Sequence, residues 1–156
     1  MDEKFLEQLH QFIVQAKTAT YVGNGSHTAS HRPKSHDLAY ENSDFSYLDS
    51  YFGGSDFIGE EVVYYKGEPI WAENYYGRII EPNLLTASEA GQMIKVSLSK
   101  MYAEGRFLGG FQFEQEGLVY MDTSKGDIST FNGLEWIEKD GTRLYELVYH
   151  GGLIRD

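Results

Sequence analysis

The chain has 156 residues, of which 41% are hydrophobic, and this suits one globular domain with a single core. Its formal net charge of -11 disfavours direct contact with nucleic acid or with an anionic membrane surface. The chain contains no cysteine, which excludes disulfides, thiolate catalysis and cysteine-ligated metals.

The first predicted element is an amphipathic helix over residues 2–17. Its apolar side chains recur at helical spacing, and acids in the first turn and Lys17 near the end suit the helix dipole. The segment lacks the basic start and apolar core of a signal peptide. No apolar run approaches the ~18 residues that a membrane-spanning helix needs. We therefore expect a cytoplasmic protein with no membrane partner.

Residues 18–35 are predicted to form a polar loop, which is the one locally basic segment of an acidic chain. His27 and His31 in this loop, with His36 and Asp37 after it, are candidate ligands for zinc, iron or manganese. Loop histidines are usually solvated and the HExxH spacing is missing, so we predict no metal and no cofactor. Gly23-Asn24-Gly25 lacks the features of a phosphate-binding loop and is interpreted as a turn.

Alternating apolar and polar residues predict a set of strands in the next part of the chain. Within one of them, Tyr47, Asp49 and Tyr51 share a face of the sheet. The neighbouring residues Glu60 and Glu61 must point to opposite faces, so both cannot line one site. The strands are predicted over residues 36–40, 45–52, 60–65 and 70–76.

A second helix is predicted from Thr86, which begins a capping box with Glu89, to about Glu104, just before Gly105. This is the clearest element of the chain, because its start, its apolar stripe and its stop signal agree.

Hairpin-linked strands follow the second helix. The predicted turns between them are residues 123–127, Asn132-Gly133 and Asp140-Gly141, and His150-Gly151-Gly152 is predicted to close the domain. No repeat of about 20–50 residues is evident. The expected fold is therefore α+β, as one domain over residues 1–156. It has a mainly antiparallel, strongly twisted sheet with an N-terminal helix and one central helix packed on it.

Aromatic and charged side chains are concentrated in the first group of strands, which makes this sheet face a candidate binding site. Tyrosine and tryptophan rings stack on planar ligands, and arginines at the ends of elements can hold a carboxylate or phosphate. An arginine paired with an internal acid is the alternative. The predicted ligand-binding residues are Asp49, Tyr51, Glu60, Trp71, Tyr76, Arg78 and Arg106.

Two other functions stay open. Carboxylates among aromatic rings can serve as general acids, so Asp49, Glu60 or Glu61 with His150 could belong to a hydrolase or transferase. A carboxylate within hydrogen-bond reach of a histidine in a closed pocket would favour this enzyme. An acidic interaction module or inhibitor is the second alternative, with a protein partner or a second copy of the chain as its target.

Several short motifs carry a resemblance: DSYFGG (residues 49–54), GEEVV (59–63), PIWAENYYGR (69–78) and the closing YHGG (149–152), preceded by His36-Asp37-Leu38. From Tyr21 onward the chain resembles an uncharacterised bacterial domain family of unknown function. Some members look like the C-terminal part of XRE-type helix-turn-helix regulators. Only one helix precedes the domain, so no DNA-binding module is expected. The resemblance implies no catalytic residues and favours a non-catalytic, sensor-like domain that binds a small anionic or planar ligand.

Overall fold

The computed structural model describes residues 1–23, 25 and 27–155. Asn24 of the predicted turn at Gly23-Asn24-Gly25 lies outside these residues. The described elements are helix α1 (Glu3–Lys17), a π-helical segment (Thr18–Val22), strands β1 (His36–Asn42), β2 (Phe45–Gly53), β3 (Phe57–Tyr65) and β4 (Glu68–Ile79), helix α2 (Ala87–Ala103), and strands β5 (Phe111–Gln115), β6 (Leu118–Asp127), β7 (Thr130–Lys139) and β8 (Thr142–Leu153).

The strands form one open antiparallel sheet, in the order β1-β2-β3-β4-β8-β7-β6-β5. Successive strands are joined as hairpins within each half of the sheet, and the two halves meet where β4 pairs with β8. The expected α+β class is confirmed. The capping box that begins α2 is also confirmed, since Thr86 and Glu89 bond to each other's backbone N–H groups.

Two segments that the sequence predicted as turns lie inside strands. Residues 123–127 belong to β6, and Asn132-Gly133 lies within β7. Residues 150–152, which were predicted to close the domain, continue β8. The reason is clear at Gly133, where a Cβ atom would overlap the ring of Tyr149. Glycine is needed there for a close approach between strands, and not for a turn.

The sheet consists of two copies of one four-stranded unit. The first unit is β1–β4 and the second is β5–β8. Because the strand order reads the same from either edge, the units are related by an approximate two-fold axis at the β4–β8 seam. Tyr75 of the first unit is paired directly with Tyr149 of the second at this seam.

Local geometry repeats between the two units as well. Gly53 and Gly126 have φ angles of 94° and 93° at the ends of β2 and β6. The strand register shifts after Val63 in the first unit and after Ile137 in the second. Both irregularities therefore recur at matching positions, as expected for two versions of one structural unit.

Identical residues are scattered through the two units, and one additional residue in the β6–β7 connection offsets their spacing. The repeat is therefore hard to detect in the sequence. The matching pairs are Tyr47 and Tyr120, Asp49 and Asp122, Gly53 and Gly126, Phe57 and Phe131, Gly59 and Gly133, Glu61 and Glu135, Gly67 and Gly141, Tyr75 and Tyr149, and Gly77 and Gly151.

Both helices lie on the same face of the sheet, and each covers mainly one unit. Two hydrophobic clusters result, and equivalent positions of the two units supply their strand residues. The first cluster joins Leu9, Phe12 and Ile13 of α1 to Tyr47, Val63 and Trp71. The second joins Ala90, Met93 and Ile94 of α2 to Tyr120, Ile137 and Tyr145.

Asp37 fastens the loop before β1 to the sheet. Its side chain accepts hydrogen bonds from the Ser50 hydroxyl and from the backbone N–H of His31, and its Oδ2 lies 2.7 Å from His31 Nδ1. Burial alone would raise the pKa of Asp37, but hydrogen bonds from Ser35, Ser50 and His31 outweigh it and hold the pKa well below its usual range. The ionised carboxylate is therefore the form that the fold stabilises.

We expect Asp37→Ala to destabilise the fold by about 2–3 kcal/mol, because it removes hydrogen bonds to a buried charged group. The contribution is present above the unfolded pKa of an aspartate and is lost as the pH falls below it. Urea unfolding at pH 7 measures the effect. Asp44→Ala is the matched control, since the Asp44 side chain is exposed and its ion pair, at 3.5 Å, is with an exposed Lys66. Equal effects of the two substitutions would contradict the anchoring role.

Candidate functional site

A cavity of about 310 Å³ lies between the helices and the helix-covered face of the sheet. Its wall combines side chains from α1, the π-helical segment and α2 with side chains from strands of both units. A volume of this order is typical of sites for small molecules. The central strands therefore line a pocket.

Strand alternation determines which side chains reach the cavity. Asp49 and Tyr51 on β2, Glu61 on β3, and Tyr75 on β4 all line it. The predicted separation of the two adjacent glutamates is confirmed, because Glu61 is buried at the cavity whereas Glu60 is absent from its wall.

One group of acids, which we name the first acidic cluster, consists of Asp49, Glu61 and Glu73. These three residues are direct neighbours in the register of β2, β3 and β4. Lys17, in the last turn of α1, inserts into the cluster and is only 5% exposed. Its Nζ atom lies 2.6 Å from Glu61 Oε2 and 3.4 Å from Glu73 Oε2.

Asp49 and Glu73 of the first acidic cluster hold their protons more tightly than free carboxyl groups do. Burial raises the pKa of Asp49 to about 7, and the charge of Glu61 adds to the effect. Burial likewise raises the pKa of Glu73 to about 8, although Lys17 opposes the shift. Burial lowers the pKa of Lys17, but Glu61 and Glu73 outweigh it and raise the pKa well above the usual value. Near neutral pH, the charged Lys17 therefore lies in a cluster where Asp49 and Glu73 are partly protonated.

A second acidic cluster, Asp122 and Glu135, lies at the equivalent place in the second unit. The two residues are register neighbours on β6 and β7. Glu135 accepts hydrogen bonds from the hydroxyls of Tyr120, at 2.6 Å, and Tyr145, at 3.0 Å. Burial raises the pKa of Glu135 to about 7 and that of Asp122 to about 6. Asp122 Oδ2 is buried and has no hydrogen-bond partner among the described residues.

Each acidic cluster is linked to the seam of the sheet by a tyrosine. The Tyr75 hydroxyl donates to Asp49 Oδ1 at 2.6 Å, and the Tyr149 hydroxyl donates to Asp122 Oδ1 at 2.8 Å. Each ring lies across a glycine on the neighbouring strand, where a Cβ atom would overlap it. The tyrosine, aspartate and glycine thus form one device that occurs twice in the cavity.

The structure does not gather the seven predicted ligand-binding residues in one place. Of these, Asp49 and Tyr51 line the cavity. Trp71 is fully buried; its indole N–H donates to the carbonyl of Ile128 at 3.1 Å, and its ring stacks on Phe131. Its aromatic face is used by the core.

The other predicted residues lie outside the cavity. Tyr76 is 45% exposed, and Glu60 also contributes nothing to the wall. Arg78 pairs with Glu146 at 2.8 Å. Arg106 pairs with an acid of its own loop at 2.7 Å and donates to two backbone carbonyls. Both arginines are thus engaged with internal acceptors, which was the alternative reading of these positions.

The histidines also lie apart from the cavity. His31 contacts Asp37, and the rings of His27 and His36 pack against each other with centroids 5.9 Å apart. Within residues 1–23, 25 and 27–155, no three His, Asp or Glu side chains are arranged to hold a metal ion. His150 on β8 is exposed and does not line the cavity.

A family model described as a domain of unknown function, DUF5680, matches residues 49–154, which is more than half of the chain. The chain belongs to the DUF5680 family. The match to DUF5680 includes both acidic clusters and both Tyr–Asp pairs, while Lys17 and β1 precede it. No curated protein and no solved structure matches the chain. None of the described helices has the length and apolar character needed to cross a membrane.

The chain carries a sequence signal for the cavity that our predictions missed. The pattern Tyr-x-Asp, then Gly-x-Glu, then Tyr-x-Gly occurs once in each unit. It supplies Asp49 and Glu61 of the first acidic cluster, the whole second acidic cluster and both bridging tyrosines. In the first unit it comprises residues 47–49, 59–61 and 75–77, and in the second 120–122, 133–135 and 149–151. Alternation alone places these residues on one face, but only their recurrence marks them as a set.

Proposed function

We propose that this DUF5680 protein binds a small organic cation in the cavity and performs no chemistry of its own. The observation that carries the proposal is the charge of the wall. Five carboxylates line the cavity, whereas Lys17 is the one basic side chain among the described lining residues and is already paired with two of them.

Buried carboxylates are costly when they lack a compensating positive charge. The raised pKa values of Asp49, Glu73 and Glu135 express this cost. A ligand with a positive charge would lower it, whereas an anion would increase it. We therefore retain the sequence-based expectation of a bound small molecule but replace its anionic character by a cationic one.

Aromatic rings in the wall favour a ligand with a flat apolar part. Tyr21, Tyr51, Phe57 and Phe107 all line the cavity. Their faces can stack on a planar group and attract a cation through the ring quadrupole. This supports the planar half of the original expectation.

The two alternative functions receive less support. The enzyme hypothesis needs a carboxylate beside a histidine in the pocket, and the described wall contains no histidine. The interaction-module hypothesis needs an acidic face without a pocket, and here the clustered acids point into a cavity. Binding of a small ligand is thus the function that the geometry favours.

Three probes with similar bodies and different charges test the proposal: 2-phenylethylamine, 2-phenylethanol and 3-phenylpropanoate. Isothermal titration calorimetry at pH 7.5 measures their binding, and thermal unfolding gives an independent readout. We expect the amine to bind most tightly, the alcohol more weakly and the acid not at all. Equal binding of all three probes, or preference for the acid, would overturn the proposal.

Gly91 of α2 provides a test of the location. It lines the cavity, and a Cβ atom there would meet no atom within 4 Å apart from the helix's own backbone. We expect Gly91→Trp to fill part of the cavity and to abolish amine binding while the protein stays folded. Gly91→Ala is the matched control, and it should bind the amine normally. Its free energy of unfolding should rise by about 0.5–1 kcal/mol, because alanine has a higher helix propensity than glycine. Unchanged binding to Gly91→Trp would place the ligand elsewhere.

A further inference from the structure

We infer that the cationic group of the ligand is a primary ammonium and that it binds to Asp122 in the second acidic cluster. This inference rests on the proposed function and specifies which part of the cavity selects the ligand. It follows from the internal repeat, because the two units have matching acids, but only the first acidic cluster has a lysine that compensates its negative charge.

The first acidic cluster already has its cation. Lys17 reaches it from α1 and contacts both Glu61 and Glu73. The second acidic cluster receives hydrogen bonds from tyrosine hydroxyls but no lysine or arginine contact among the described residues. By the approximate two-fold relation, an ammonium next to Asp122 and Glu135 would repeat the arrangement that Lys17 makes in the first unit.

Asp122 Oδ2 is a buried oxygen with no hydrogen-bond partner among the described residues. Two other buried oxygens share this property, but Glu61 Oε2 lies 2.6 Å from Lys17 Nζ, and the Tyr47 hydroxyl carries no charge. Asp122 is 5% exposed and lines the cavity, and its other oxygen already accepts a bond from Tyr149. A buried carboxylate oxygen without a hydrogen-bond donor destabilises the fold. A ligand N–H group that donates to this oxygen would therefore contribute more binding free energy than one that donates to an acid with partners already in place.

Neither Arg106 nor Lys17 donates a hydrogen bond to Asp122 Oδ2. Arg106 and Lys17 both lower the pKa of Asp122 through their charge, although burial outweighs them. The Arg106 side chain donates to Glu104 and to the carbonyls of Leu108 and Gly110. It is therefore held beside the cluster, and these contacts leave Asp122 Oδ2 for another donor.

The surroundings of the second acidic cluster also define the rest of the ligand. Leu147 occupies the position that Glu73 has in the first unit, and it lines the cavity together with Phe57. An apolar body can pack there while the ammonium, with its three N–H donors, reaches Asp122. The expected ligand class is a primary amine on a short apolar or aromatic chain.

The test compares Asp122→Asn with Asp49→Asn, its counterpart beside Lys17. Binding of 2-phenylethylamine is measured by calorimetry for the wild type and for both variants. We expect Asp122→Asn to lose about tenfold or more in affinity, because a charge-assisted hydrogen bond is removed. Asp49→Asn, which only lowers the charge of the wall, should lose clearly less. Melting temperatures of both variants show that they are folded.

A crystal structure of the wild-type protein with 2-phenylethylamine provides a readout that no variant can disturb. We expect its nitrogen within hydrogen-bond distance of Asp122. Retained affinity in Asp122→Asn, equal losses in both variants, or a nitrogen placed at Asp49 would overturn the inference and leave cation binding intact. Failure of the wild type to bind the amine at all would instead remove the proposed function.

Discussion

Replacing Lys17 by methionine is expected to destabilise the protein by about 3–5 kcal/mol at pH 7, since removing one partner of a buried ion pair leaves the other charges uncompensated. Methionine keeps most of the length of the side chain, so the core loses little volume. Glu61 and Glu73 would then face each other across β3 and β4 without an intervening ammonium. Burial already raises the pKa of Glu73, and Lys17 opposes this shift, so its loss favours the protonated form of Glu73 and lets the variant regain stability at lower pH.

Urea unfolding at pH 7 and pH 5 measures this effect. Lys4→Met is the matched control, because Lys4 lies on the same helix and is exposed. The triple variant Lys17→Met with Glu61→Gln and Glu73→Gln should recover most of the stability, as neutral side chains need no counter-ion. If Lys17→Met lowered the free energy of unfolding by no more than Lys4→Met, this would contradict a stabilising role for the ion pair.

The second large effect is a loss of stability as the pH rises from about 4 to about 8. Asp49, Glu73, Asp122 and Glu135 have folded-state pKa values of about 7, 8, 6 and 7. Unfolded carboxyl groups release their protons near pH 4. Between these limits the folded protein binds more protons than the unfolded chain, so the free energy of unfolding falls with increasing pH.

Below pH 4 the free energy of unfolding is expected to fall as the pH decreases, because other carboxyl groups have lowered pKa values in the folded protein. The pKa of Asp37 is lowered by hydrogen bonds from Ser35, Ser50 and His31 that outweigh its burial, and the pKa of Glu89 is lowered by Thr86. Their contributions are present above the unfolded pKa values and are lost as the pH falls through the folded ones. Maximum stability is therefore expected near pH 4–5.

Thermal unfolding across pH 3–9 tests this profile. We expect the melting temperature to be at least about 5 °C lower at pH 8.5 than at pH 5, given that 1 kcal/mol corresponds to about 2–4 °C in a domain of this size. Asp49→Asn and Glu135→Gln should each flatten the slope, because each removes one group with a raised pKa. A wild-type melting temperature that rises steadily from pH 5 to pH 8.5 would contradict the assignment.

Local patterns predicted much of this fold. The capping box at Thr86 placed the start of α2 correctly, and alternation on β2 put Asp49 and Tyr51 on the face that became the cavity. These features depend on neighbouring residues along the chain, which a single sequence displays directly.

Features that depend on distant contacts were missed. Lys17 was interpreted as a cation suited to a helix end, and nothing near it in sequence shows that it enters an acidic cluster formed by β2, β3 and β4. Asn132-Gly133 resembled a turn because its partner, the ring of Tyr149, comes from another strand. The arginines were expected at a ligand, and their acceptors could be identified only from the folded chain.

The palindromic strand order has a consequence for how such a cavity can arise. A chain with a single unit would expose β4 as an unpaired edge, and two such chains could bury it by joining across a dyad, with Tyr75 opposite its own copy. Such an assembly must have two identical halves. Fusion of the halves in one gene removes that constraint, so the first unit can have Glu73 where the second has Leu147, and Lys17 can contact one acidic cluster alone. The difference between the two acidic clusters of this cavity is thus a property that a fused duplication can encode and a symmetric homodimer cannot.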